Sequence, residues 1–247
     1  MNQRLDRIDI LRALVMLWMT VYHFCFDLNL NGLITQDFYR DPFWTWQRTA
    51  IVSGFLFTAG LSQAVAVHFG QTWPRFWKRW AQVAGAAALV TAGSMVMFPN
   101  SFIYFGVLHG IAVMLIVVRL TAGWGAWLWL LGALAIAVKF AAPLLITAYP
   151  VLAVLNQPGP NILGFITRLP ITEDYVPLLP WLGVMWWGVA AGNWVLRQRP
   201  HGLAPQTKPV FPALKGLAGL GRWSLSYYLL HQPVLLGLIA GALWLVR

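Results

Sequence analysis

Arg12, His23 and Asp27 stand within one apolar stretch, ILRALVMLWMTVYHFCFDLNL. Ionisable groups in such a stretch are costly in lipid and usually serve a purpose. His23 and Asp27 are four residues apart, so on a helix they share a face. A carboxylate placed there can accept a hydrogen bond from one imidazole nitrogen, fixing the tautomer and raising the basicity of the other nitrogen. That arrangement suits a general base facing a hydroxyl or an amine. Two plainer readings stay open: Asp27 at the interface as a solvated or capping group, and His23 as a helix-to-helix hydrogen-bonding residue.

Two further histidines fall in apolar runs. His109 sits in FGVLHGI between Gly106 and Gly110, whose four-residue spacing lets a second helix approach closely. His231 sits in GRWSLSYYLLHQPVLLG, where Ser224, Tyr227 or Tyr228, and His231 fall near one helical face. Pro233 removes a backbone bond beside His231 and frees the carbonyl of Leu229, so a bent, polar face is expected there. His23, His109 and His231 enter from three helices at comparable depth, with His231 and His109 expected to line the cavity in which His23 acts. His68 and His201 lie at or beyond span ends and carry no expected role. The chain has no Cys-based metal motif, phosphate-cradling Gly-rich loop or nucleophile elbow, and no metal is expected.

The elements that must position these groups are membrane spans. Of 247 residues, 59% are hydrophobic and 10% charged, a composition that excludes a soluble domain with a polar surface. Runs of the ~20 residues needed to cross ~30 Å of hydrocarbon occur seven times: Ile10 to Phe26, Trp46 to Phe69, Trp77 to Phe98, Phe102 to Leu120, Trp124 to Ala142, Leu178 to Leu196, and Leu220 to Val246. The expected fold is an all-α bundle of about seven transmembrane helices forming a single domain over residues 1–247. Pro143 to Leu155 extends the fifth span or forms a re-entrant piece. The first run, with Asp6 and Asp9 before it and no small-residue cleavage pattern, is expected to be retained.

The net charge of +10 follows topology rather than a nucleic-acid face, since the cations lie between apolar segments. With the amino terminus inside, seven spans put Arg4, Arg7, Arg75, Lys78, Arg79, Arg119, Arg197, Arg199, Lys208, Lys215 and Arg222 in the cytoplasm, and Arg40, Arg168 and Arg247 outside. This bias favours a cytoplasmic amino terminus and an external carboxyl terminus. Arg75, Lys78 and Arg79 of RFWKRW, with Arg12 and Arg222 at the mouths of the first and last spans, are cations that could hold the phosphates of an acyl carrier such as coenzyme A. Topology alone also places cations there.

The stretches RIDILRALVMLWMTVYHFCFDLNLNG, IVSGFLFTAG, FGVLHGIA, DYVPLLPWLGVMWWGVAAG and LGRWSLSYYLLHQPVL, taken in order, resemble bacterial members of the heparan-alpha-glucosaminide N-acetyltransferase catalytic-domain family. The Arg12 to His23 spacing is similar to the arginine and histidine pair of the wider transmembrane acyltransferase superfamily, whose histidine is regarded as catalytic. The lysosomal relatives carry an asparagine at the His23 position and a catalytic histidine just after the first helix, where this chain has none. The resemblance implies an enzyme of the bacterial inner membrane that transfers an acyl group, acetyl above all, from cytoplasmic acyl-CoA to a saccharide-like acceptor reached from the other side. His23 would be base or acyl relay, with Arg12 structural or near the donor. Association with a second copy is left open.

Two rivals belong to other classes. Paired histidines on facing helices could ligate a haem for electron transfer, and midplane polar groups beside a broken helix would also suit a proton-coupled transporter.

Overall fold

The structure is a computed structural model describing residues 6–198 and 212–246; Arg4, Arg199, His201, Lys208 and Arg247 lie outside the described residues. It is helical: α1 Asp6–Leu30, α2 Pro42–His68, α3 Trp73–Met97, α4 Val107–Thr121, α5 Trp127–Ala148, α6 Leu178–Gln198, α7 Pro212–Arg222 and α8 Ser224–Val246. Among the described residues, six helices are long and apolar enough to cross a membrane: α1, α2, α3, α4 with its following turn, α5 and α8. The sixth expected span is α6, which is 21 residues long but carries four tryptophans and Asn193. The expected span from Leu220 divides, because α7 ends at Arg222 and α8 begins at Ser224. α5 continues through Pro143 to Ala148, and Pro150–Asn156 then forms a short 3-10 turn. Large apolar side chains such as Val96, Leu144 and Leu238 stand exposed, a surface that lipid accommodates and water does not.

The chain divides into two compact units, Met1–Phe55 with Leu203–Arg247, and Leu56–Gly202. In the first, α1 packs against α7 and α8. Asp6 and Asp9 lie in the first turn of α1, where negative charge complements the helix dipole. Arg222, in the last turn of α7, reaches both: its Nη2 is 2.6 Å from Asp6 and its Nε 3.9 Å from Asp9. The close approach depends on Gly221, where a Cβ would collide with the Asp9 carbonyl. Val15, Met19, Tyr22, Phe38 and Ile51 form the apolar core of this unit, with Tyr227 and Tyr228 of α8 packed against it.

In the second unit, α6 packs against α5 and α4, and α3 against α4. The later half of α2 crosses α6 at glycine: a Cβ on Gly188 would strike the Phe57 carbonyl, and one on Gly60 the Met185 carbonyl. Small residues permit such backbone approach in membrane bundles.

Candidate functional site

α1 and α8 bring two of the expected groups together. The rings of His23 and His231 stand edge to face with centroids 5.2 Å apart. Asp27, one turn beyond His23, is fully buried, so its carboxylate is not solvated. Its carboxylate serves a different partner from the one expected: Oδ1 accepts a hydrogen bond from Gln232 Nε2 at 2.7 Å. A side chain at i+4 and one on the adjacent helix compete for the same oxygen, and here the residue next to His231 takes it. Asp27 Oδ2, Gln232 Oε1 and His231 Nε2 are buried without hydrogen-bond partners among the described residues. Three acceptor-capable atoms from two helices therefore lie in one buried polar cluster.

A second interhelical bond lies on the other side of the histidine pair. Thr20 Oγ1 and the Tyr227 hydroxyl are 2.6 Å apart. The order of partners, Thr20 with Tyr227, His23 with His231, and Asp27 with Gln232, ascends along both helices. α1 and α8 therefore run side by side in the same direction. Tyr227 and Tyr228 also pack their rings near His231, with centroids at 6.0 and 5.7 Å. Of the expected α8 face, Tyr227 and His231 are thus at the site, while Ser224 only opens the helix. Gln232, Thr20 and the choice of Tyr227 as tether were not expected from the sequence. A second polar residue beside His231 in a spanning run was the available signal for Gln232.

His109, expected to line the cavity with His23, belongs to the second unit and is engaged locally. Its Nδ1 accepts from the Gly106 backbone N–H at 3.3 Å and its Nε2 lies 3.0 Å from Thr91 Oγ1. Thr91 in turn donates to the Ile103 carbonyl at 2.7 Å, so Nε2 is the protonated nitrogen and donates to Thr91. Both ring nitrogens thus hold the amino end of α4. Gly106 and Gly110, expected to admit a helix, admit a loop: a Cβ on Gly106 would strike the Asp174 carboxylate, and one on Gly110 would press on the Val176 carbonyl. Asp174 accepts from the Val107 N–H at 2.7 Å, serving as a remote cap for α4. The same loop network includes buried Asn161, which donates to the Tyr104 hydroxyl at 2.7 Å and whose carbonyl accepts from Tyr175 at 2.6 Å. Burial raises the pKa of both tyrosines, so their hydroxyls remain neutral near pH 7, Tyr104 accepting from Asn161 and Tyr175 donating to it.

Of the five expected donor-site cations, Arg12 and Arg222 belong to the first unit and Arg75, Lys78 and Arg79 to the second. Arg12 Nη1 donates to Asp9 at 2.8 Å and to the Gly221 carbonyl at 3.3 Å. With Arg222 bound to Asp6, the acids of α1 hold both arginines, an ion pairing not expected from the sequence. Arg75, Lys78 and Arg79 lie exposed in the opening turns of α3, in the second unit, with Arg79 donating to Gln82 at 3.0 Å. At the other end of α4, Arg119 lies over the Trp73 ring at 5.0 Å and donates to the Gln71 carbonyl at 2.5 Å. The described residues contain no cluster of three or more His, Cys, Asp or Glu arranged to hold a metal ion.

No curated protein and no solved structure matches the chain. Residues 4–233 match the family model described as heparan-alpha-glucosaminide N-acetyltransferase, catalytic. This match covers nearly the whole chain and includes all of α1 and the first part of α8, through Pro233, with both histidines of the pair. The chain belongs to the heparan-alpha-glucosaminide N-acetyltransferase catalytic-domain family.

Proposed function

We propose that the chain transfers an acyl group, acetyl above all, from cytoplasmic acyl-CoA to a saccharide or similar envelope acceptor, with His23 as the group that takes the acceptor's proton or relays the acyl group. Membership of the family implies transmembrane acetyltransferase-type activity. The observation that carries the finer reading is the His23 and His231 pair, 5.2 Å apart on two helices within a buried polar cluster. In the direct route the acceptor X–H attacks the thioester carbonyl. The X–C bond forms, the C–S bond breaks, and the proton passes through the histidine pair to the departing thiolate, giving coenzyme A. Asp27 then acts on α8 through Gln232 rather than on the His23 ring. Arg75, Lys78 and Arg79 are the cations exposed for the donor's phosphates, while Arg12 and Arg222 hold α1 to α7.

The parallel course of α1 and α8 supports the topology. Two helices running the same way are joined by an odd total of crossings, so α6 is counted as a span beside the six more apolar helices. The termini then lie on opposite faces, and the cation excess in the loops on the amino-terminal side supports a cytoplasmic amino terminus and an external carboxyl terminus, in the bacterial inner membrane that the resemblance implies.

Purified protein in vesicles, given radiolabelled acetyl-CoA and envelope extract, should yield labelled product. His23→Ala should lower turnover by ~10²-fold or more with donor affinity nearly unchanged. Near-normal turnover in His23→Gln would sink the catalytic role, because glutamine keeps a hydrogen bond but cannot take the proton. A Soret band in the purified protein would instead favour the haem-binding reading.

A further inference from the structure

We propose that Thr20 and Tyr227 are positioning residues that hold the His231 ring with Nε2 as its proton-accepting atom. The inference rests on the acyl-transfer reading for its purpose and on geometry for its content.

His231 Nδ1 lies 2.7 Å from the Tyr228 carbonyl oxygen. A carbonyl only accepts, so Nδ1 carries the hydrogen, and the neutral ring has its lone pair on Nε2. That atom is buried and has no hydrogen-bond partner among the described residues. A proton shared by the histidine pair can enter the neutral His231 ring only there.

The ring's orientation is set from the other side. The Tyr227 ring is parallel to that of His231, 4° between planes and 6.0 Å between centroids, within the range in which offset rings attract. The Tyr227 hydroxyl meets Thr20 Oγ1 at 2.6 Å, and Thr20 Oγ1 lies 2.9 Å from the Met16 carbonyl. That carbonyl takes the single hydroxyl hydrogen of Thr20, so Tyr227 must be the donor to Thr20. The directional chain from Tyr227 through Thr20 to Met16 fixes one end of the tyrosine on α1. Thr20 precedes His23 by about one turn, as Tyr227 precedes His231, so the tether ties the two helices just before the pair. Loss of the tether frees Tyr227 to turn and His231 to exchange the Tyr228 carbonyl for another partner.

Thr20→Val and Tyr227→Phe remove the tether while keeping shape. Each should lower kcat on the order of 10-fold, with KM for acetyl-CoA changed by no more than about 2-fold. The double variant should fall no further than either single, because both break one bond. Thr20→Ser keeps the hydroxyl and should restore kcat. Independently of activity, nitrogen NMR of histidine-labelled protein should show the His231 signal, assigned by its loss in His231→Gln, as protonated at Nδ1 and bare at Nε2. Thr20→Val should mix the two tautomers. Unchanged kcat in both tether variants, or a wild-type ring protonated at Nε2, would overturn the proposal. Absence of acetyl transfer in the wild-type protein would overturn the acyl-transfer reading instead, and the NMR signal would still decide the tautomer.

Discussion

Replacing Gln232 by leucine removes the donor to Asp27 Oδ1. Since Asp27 Oδ2 has no partner among the described residues, the variant leaves a fully buried carboxyl with neither oxygen hydrogen-bonded. Stranding a buried polar group costs about 1–3 kcal/mol, whereas interhelical hydrogen bonds in membrane bundles average ~0.6 and reach ~1.7 kcal/mol. The two ranges overlap at about 1–2 kcal/mol, and at roughly 2–4 °C per kcal/mol for a chain of this size the melting temperature should fall by roughly 2–8 °C. Asp27→Leu combined with Gln232→Leu should recover much of that loss, because two apolar groups facing each other leave nothing unsatisfied. Asp27→Asn keeps an acceptor oxygen for Gln232 and should melt within about 1 °C of the parent. The assay is thermal unfolding of purified protein in one detergent, read as a double-mutant cycle. Additive losses in the double variant would mean that the two side chains do not interact, and the hydrogen bond that ties α8 to α1 beside the histidine pair would be refuted.

Replacing Arg75, Lys78 and Arg79 together by glutamine should weaken coenzyme A binding while leaving kcat nearly unchanged, as uniform binding energy is lost; unaltered affinity in a folded variant would leave those cations to topology alone. Asp174→Ala removes the acceptor for the Val107 N–H and should lower stability by about 0.5–2 kcal/mol, the range for a helix cap, read by thermal unfolding. A reporter fused after Arg247 should be active only if it functions outside the cytoplasm, and cytoplasmic activity would take α6 out of the set of spans.

Much of the fold is written in composition. In lipid every backbone polar group must be satisfied within its own segment, so apolar length alone marks where the helices lie, and α1 to α6 fall on the expected runs. Asp6 and Asp9 are equally legible as favourable charges in a first turn. Partner choice is not. The four-residue spacing that pointed from Asp27 to His23 is a property of one helix, and the competing donor, Gln232, arrives from a helix more than two hundred residues later in the chain. His109 looked like its two counterparts because all three are histidines in apolar runs. Only the folded chain gives both its nitrogens to the amino end of α4, through Gly106 and Thr91, while leaving Nε2 of His231 unpartnered. The acids before the first span are visible in the sequence, yet their pairing with Arg12 and Arg222 required α7 to approach α1 closely at Gly221. Sequence determines which segments enter the membrane because that depends on summed local transfer energy. Tertiary structure decides which polar groups meet, because a buried hydrogen bond is set by angles and tenths of an ångström between helices that no local pattern encodes.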